Sequence, residues 1–161
     1  MRCLFCYQEL HDGEQHYHDA CAKHFFGTPI APSMPYSQAD IRELAKQVVR
    51  SHTTVTGVQA KLSMDIERTN QTSRLTIVDQ GGKYILKPQT TQYPYLPEIE
   101  DLTMHLAQLV KIDVVPHALL RLDNGERCYL TKRIDRDKKG RKIAMEDMCQ
   151  LTEQLTERKY K

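Results

Sequence analysis

The sequence predicts an α+β fold: an antiparallel sheet accompanied by helices and preceded by a small cysteine- and histidine-bearing module. Three observations carry this. After Gly57, Val58, Ala60, Leu62, Met64 and Ile66 alternate with Gln59, Lys61, Ser63 and Asp65, the two-residue period of a half-buried strand. Two stretches, one beginning near Ser37 and one at Glu98, instead carry apolar residues at helical spacing. The first 27 residues hold two close-spaced pairs of metal-ligand type, Cys3 with Cys6 and His18 with Cys21.

A chain of 161 residues suits one ordinary domain or two small ones. Its 40% apolar and 27% charged content fits a folded soluble chain, and a net charge of +2 gives no bulk electrostatic case for direct nucleic-acid binding. No apolar run reaches the length of a membrane span, and the start, MRCLFC, lacks the apolar segment of a signal peptide. A cytoplasmic location is expected, where five cysteines serve as thiols or metal ligands rather than disulfides.

Residues 1–27 read as the module. The C-x2-C and H-x2-C pairs stand eleven residues apart. Zinc takes four such ligands in a tetrahedron, so Cys3, Cys6, His18 and Cys21 form the expected site, structural because all four positions are filled. His16 is an alternative to His18, and scattered cysteines on an exposed terminus are the plainer reading. The pattern resembles a treble-clef or LIM-like zinc module, with a short helix over 19–26 stopped by Gly27. Bound zinc would replace the core that 27 residues cannot build.

Residues 28–36, with Pro29, Pro32 and Pro35, read as an extended linker. Ser37 and Asp40 then make a variant capping box for a helix whose stripe is Ile41, Leu44, Ala45, Val48 and Val49; it reads as core, or as a partner-binding groove. A meander of strands follows: the run after Gly57, a strand over 75–78, the turn Gly81-Gly82 and a strand over 84–86 ending at Lys87. Backbone donors at the glycine turn and an ammonium group beside them suit a phosphate chain, although a strand-end lysine also simply reaches water. The helix over 98–111 places Ile99, Leu102, Leu106, Leu109 and Val110 on its apolar side. Glu100, at the edge of that stripe, either faces water or pairs with Lys87. Strands over 117–122 and 127–134 flank the turn Asp123-Asn124-Gly125, with Cys128 read as core. A basic loop, 135–142, precedes a last helix over 146–155.

Five ordered motifs carry a family resemblance: TVTGVQAKLS (54–63), GGKYILKP (81–88), LPEIEDLTMHLAQLVKIDVVPHALL (96–120), YLTKRIDR (129–136) and EDMCQLT (146–152). Together they resemble the HipA family of bacterial toxin–antitoxin serine/threonine kinases, especially its short HipT-like branch, over roughly 37–161. The resemblance implies a protein-kinase-like N-lobe over 37–136 and the start of a truncated C-lobe over 137–161. It implies ATP and magnesium, with Gly57, Val58, Gln59 and Lys61 as the nucleotide loop, Lys87 at the phosphates and Glu100 as its ion-pair partner. Lys132, Arg133 and Ile134 resemble the hinge that meets adenine, and Asp135 sits where the ribose would pass. Thr54, with Thr56 as second candidate, takes the autophosphorylation position. Characterised members phosphorylate aminoacyl-tRNA synthetases and pair with a HipB-like helix-turn-helix antitoxin.

The sequence departs from the family pattern in one respect. The catalytic aspartate, its neighbouring asparagine and the metal-binding aspartate belong to a C-lobe after EDMCQ, and no DxxxxN-like segment lies between Glu146 and Lys161. The expectation is an ATP-binding N-lobe, inactive until a complementary C-lobe chain joins it. The alternative is a non-enzymatic, zinc-containing regulatory subunit or antitoxin that binds a HipA-like kinase. A zinc-dependent nucleic-acid adaptor is a third reading, disfavoured by the low net charge.

Overall fold

The computed structural model describes residues 1–51, 60–70, 72–78, 81–137 and 139–154. Thr54, Thr56, Gly57, Val58 and Gln59 lie outside the described residues. Helix α1 (Asp19–Phe26) ends on Gly27, whose φ of 81° is the left-handed geometry glycine adopts freely. Helix α2 (Gln38–Ser51) opens on the expected box: Ser37 N–H donates to Asp40 Oδ2 at 2.9 Å, and Asp40 N–H to Ser37 Oγ at 3.2 Å. Ile41 and Ala45 of α2 are buried and Leu44 packs against the core, so the described part of the stripe is core.

Strands β1 (Leu62–Arg68), β2 (Ser73–Ile77), β3 (Tyr84–Lys87), β4 (His117–Arg121) and β5 (Arg127–Lys132) form one antiparallel sheet in the order β2-β1-β3-β5-β4. The expected meander needs correction here. β3 returns past β2 to pair with β1, with Leu62 opposite Leu86 and Met64 opposite Tyr84. β1 buries Leu62 and Met64 fully, so it gains most with a strand on each side, while β2 takes the edge. That edge is in turn met by the segment before α2: Leu75 N–H donates to the Ser33 carbonyl at 2.9 Å, and Ser33 N–H to the Ser73 carbonyl at 2.9 Å.

The close return of β3 depends on Gly82. A Cβ there would stand 2.4 Å from the Met64 carbonyl oxygen, while its N–H donates to Ser63 Oγ at 3.2 Å. The β4–β5 hairpin closes at Gly125, φ 87°, whose N–H donates to the Leu122 carbonyl at 2.9 Å. Helix α4 (Met148–Leu151) is a single turn with a full Asp147/Gln150 capping box, shorter than expected.

The N-terminal residues share the sheet's core. Cys3, Leu4, Tyr17, Phe25 and Phe26 pack in one cluster with Leu62, Leu86, Ala118 and Leu130. Leu119 N–H donates to the Leu4 carbonyl at 3.0 Å, and Tyr17 Oη donates to the Leu119 carbonyl at 2.5 Å. Among the described residues, no helix is long and apolar enough to cross a membrane.

Helix α3 (Leu96–Leu109) departs most from the sequence reading. Its apolar residues face outward, with Ile99 54% and Leu109 78% exposed and Leu102, Leu106 and Val110 also exposed. The face turned to the sheet carries Pro97 and Asp101, both buried. Amphipathicity located the stripe but not the side that packs, because the inward face is held by charge. Glu98 meets Arg127 at 3.2 Å, Glu100 meets Lys87, and Asp101 meets His117 at 2.7 Å.

Candidate functional site

Two candidate sites emerge. The first is a metal-type cluster. Cys3, Cys6, His18 and Cys21 each offer one ligand atom, and all four lie within 4.8 Å of one another. Thiolates sharing a tetrahedral zinc at Zn–S ~2.3 Å stand ~3.8 Å apart, so the cluster is of the right size. His18 Nδ1 lies 3.4 Å from Cys6 Sγ and 3.7 Å from Cys21 Sγ. Its Nε2 sits 2.9 Å from the Glu9 carbonyl oxygen, which accepts only from an N–H. Nε2 therefore carries the proton and Nδ1 turns its lone pair to the thiols, the arrangement that orients a metal-bound histidine. Between the two histidines weighed for this position, the geometry selects His18; His16 Nδ1 is buried with no hydrogen-bond partner among the described residues. Burial, then the hydrogen bond to Cys6, pushes the Cys21 thiol up to about 12. A divalent cation at the centre would reverse that balance. The donor set fits zinc.

The second site is the ion pair that joins the end of β3 to α3. Lys87 ends β3 opposite Tyr129 of β5, and its ammonium forms an ion pair with Glu100 of α3. The two side chains are 21% and 19% exposed, so the pair is largely shielded from water but not sealed off. The ammonium also lies 5.3 Å from the centroid of the Tyr129 ring. Tyr129 Oη is buried and without a partner among the described residues, and burial raises its pKa. Of the other expected residues, Lys61 lies exposed just before β1.

The segment after β5 follows at the other end of the same strand pair. Tyr84 stands opposite Lys132, three residues along β3 from Lys87, about 10 Å at ~3.3 Å per residue. Lys132 Nζ donates to the His24 carbonyl at 3.3 Å and lies 5.5 Å from the Phe25 ring centroid. Arg133 grips Asp135 through two hydrogen bonds, 2.8 and 2.6 Å, and holds its carboxyl below the usual range. Ile134 is exposed. Cys128 is fully buried and pushed up to about 12 by that burial, which makes it a core residue and not a nucleophile.

Sequence reasoning missed the polar hub that fixes α3. Asp101 is fully buried. Its Oδ1 accepts from His117 Nδ1 of β4 at 2.7 Å, Tyr7 Oη donates to its Oδ2, and His105 Nε2 lies 3.4 Å from the same oxygen. The Tyr7 and His105 rings meet at a tilt of 48°, their centroids 4.7 Å apart. A signal existed: Asp101 and His105 stand at i and i+4, on the face opposite the apolar stripe. A separate concavity, lined by His16, Tyr17, Pro32, Met34 and Arg121, lies against the N-terminal residues and does not include Lys87 or Glu100.

The model of the HipA-like C-terminal domain family matches residues 53–161. The chain belongs to that family. It is also 29% identical over 121 residues to a protein of Haemophilus influenzae described as "Putative kinase". That match covers 73% of this chain and 34% of the relative, so the chain spans about a third of the relative's length.

Proposed function

We propose that residues 37–136 form the N-lobe of a HipA-like, HipT-type serine/threonine kinase and bind ATP, with a structural zinc held by the N-terminal residues. The observation that carries this reading is the Lys87–Glu100 pair. In protein kinases a lysine on the third strand is held against the nucleotide phosphates by a glutamate of the following helix, and both must be in place for phosphoryl transfer. Here the lysine ends the third strand of the sheet, the glutamate lies in the helix that follows, and the two meet. The segment from Lys132 to Asp135 takes the hinge role at the far end of the strand pair. The distance from Lys87 is on the scale of one nucleotide.

Magnesium bound with the phosphates would neutralise their charge during transfer. Its ligands and the catalytic base would come from polypeptide outside residues 1–161, consistent with a relative of which the match covers 34%. Alone, the chain binds nucleotide without turning it over. The exposed apolar stripe of α3 favours a second reading, a regulatory subunit that docks on a kinase through this helix.

Calorimetric titration with MgATP tests the first reading. Replacing Lys87 with alanine removes a charge-assisted contact, and the affinity should fall roughly tenfold or more. Equal affinity in the native and Lys87→Ala chains would remove Lys87 from the phosphate role.

A further inference from the structure

We propose that the N-terminal metal cluster positions the Lys87–Glu100 pair, acting through Tyr7 on Asp101 of helix α3. The inference rests on the nucleotide reading for its consequence but not for its geometry. Tyr7 directly follows the ligand Cys6, and its φ of 62° is left-handed, unusual for a tyrosine. The knuckle holds it there: Tyr7 N–H donates to the Cys3 carbonyl at 3.0 Å, and Cys3 N–H to the Gln8 carbonyl at 2.9 Å. This backbone turn carries the phenol to α3, where its hydroxyl donates to Asp101 and its ring packs at a tilt against His105.

Asp101 is adjacent to Glu100 in the same helical turn, so what fixes one carboxylate fixes the register of the other. The outer face of α3 adds little restraint, because its apolar stripe is exposed. Inward, Asp101 is the buried polar anchor beside Pro97, and its contact with Tyr7 comes from the metal cluster. Asp101, His105 and His117 also cluster as metal-type donors. The short His117–Asp101 hydrogen bond and the Tyr7 contact already occupy both carboxylate oxygens, so this group is a hub rather than a second ion site. Tyr7 and Asp101 are positioning residues: neither is part of the Lys87–Glu100 pair.

Amide hydrogen exchange on the zinc-loaded chain tests the coupling without nucleotide. In Tyr7→Phe the ring contact is kept and the hydroxyl lost, and the amides of residues 96–109 should exchange roughly tenfold faster while those of β1 and β2 do not change. Chelating the zinc from the native chain should speed the same α3 amides relative to those of β1 and β2, and chelation of Tyr7→Phe should widen that difference little further. A purely structural role for Tyr7 would instead leave the two effects additive. Unchanged α3 exchange in Tyr7→Phe, or full additivity, would overturn the inference.

Titration with MgATP separates this inference from the nucleotide reading. Tyr7→Phe should weaken MgATP binding about fivefold, by the same linkage that loosens α3. If Lys87→Ala leaves MgATP binding intact while α3 loosens in Tyr7→Phe, the nucleotide reading fails and the coupling stands. If Lys87→Ala weakens binding and Tyr7→Phe changes neither α3 exchange nor affinity, the coupling fails alone.

Discussion

Removal of the zinc proposed for Cys3, Cys6, His18 and Cys21 is expected to lower the melting temperature of the whole chain, not only to loosen its first residues. Structural zinc in isolated finger peptides binds with about 10–16 kcal/mol of apparent free energy that is also folding free energy. The apolar contacts of Leu4, Phe25 and Phe26 with the sheet hold part of the N-terminal fold without metal. We therefore place the loss near 5 kcal/mol, or about 10–20 °C in melting temperature for a chain of this size. The effect spreads because Leu4 and Tyr17 bond directly to Leu119 of β4. Cys6→Ser should reproduce most of it. Calorimetric melts of metal-loaded and chelated protein, with metal content measured alongside, check the expectation. Equal melting temperatures, or protein purified without zinc that melts no lower, would show that the four residues are not a structural centre.

The second large effect is expected at Asp101. Replacing it with alanine removes a fully buried carboxylate that accepts from His117 and Tyr7. Their donors are then left buried with no partner, and breaking a buried charged network by removing one member costs about 3–5 kcal/mol. That is a large part of the roughly 5–15 kcal/mol that holds a typical domain together. Urea unfolding of Asp101→Ala measures it. A loss below about 1 kcal/mol would mean that water or a rearranged His105 takes over the carboxylate's partners.

Local chemistry in the sequence was enough for several elements. Gly27 after an apolar pair marked the end of α1, Ser37 with Asp40 marked the start of α2, and Asp123-Asn124-Gly125 marked the β4–β5 turn. The spacing of the cysteines and histidines identified the cluster because metal ligation needs close-spaced pairs. The residues left Glu100 either facing water or pairing with Lys87, and the family resemblance selected the pair. What local pattern could not give is long-range. The pairing of β3 with β1 depends on a backbone approach at Gly82 that two adjacent glycines do not specify. The orientation of α3 was legible only in part, because the helical period gives the angle of the apolar stripe but not what lies against it. Tyr7, His117 and the i, i+4 pair Asp101–His105 are distant from one another along the chain, so no spacing rule joins all four.

A crystal structure of the chain with magnesium and a non-hydrolysable ATP analogue is the most direct measurement of the central claim. The account predicts the phosphate chain within hydrogen-bond reach of Lys87 Nζ, Glu100 still bonded to that lysine, and the adenine beside the Lys132–Asp135 backbone. An analogue seated elsewhere, with Lys87 and Glu100 paired only to each other, would contradict it.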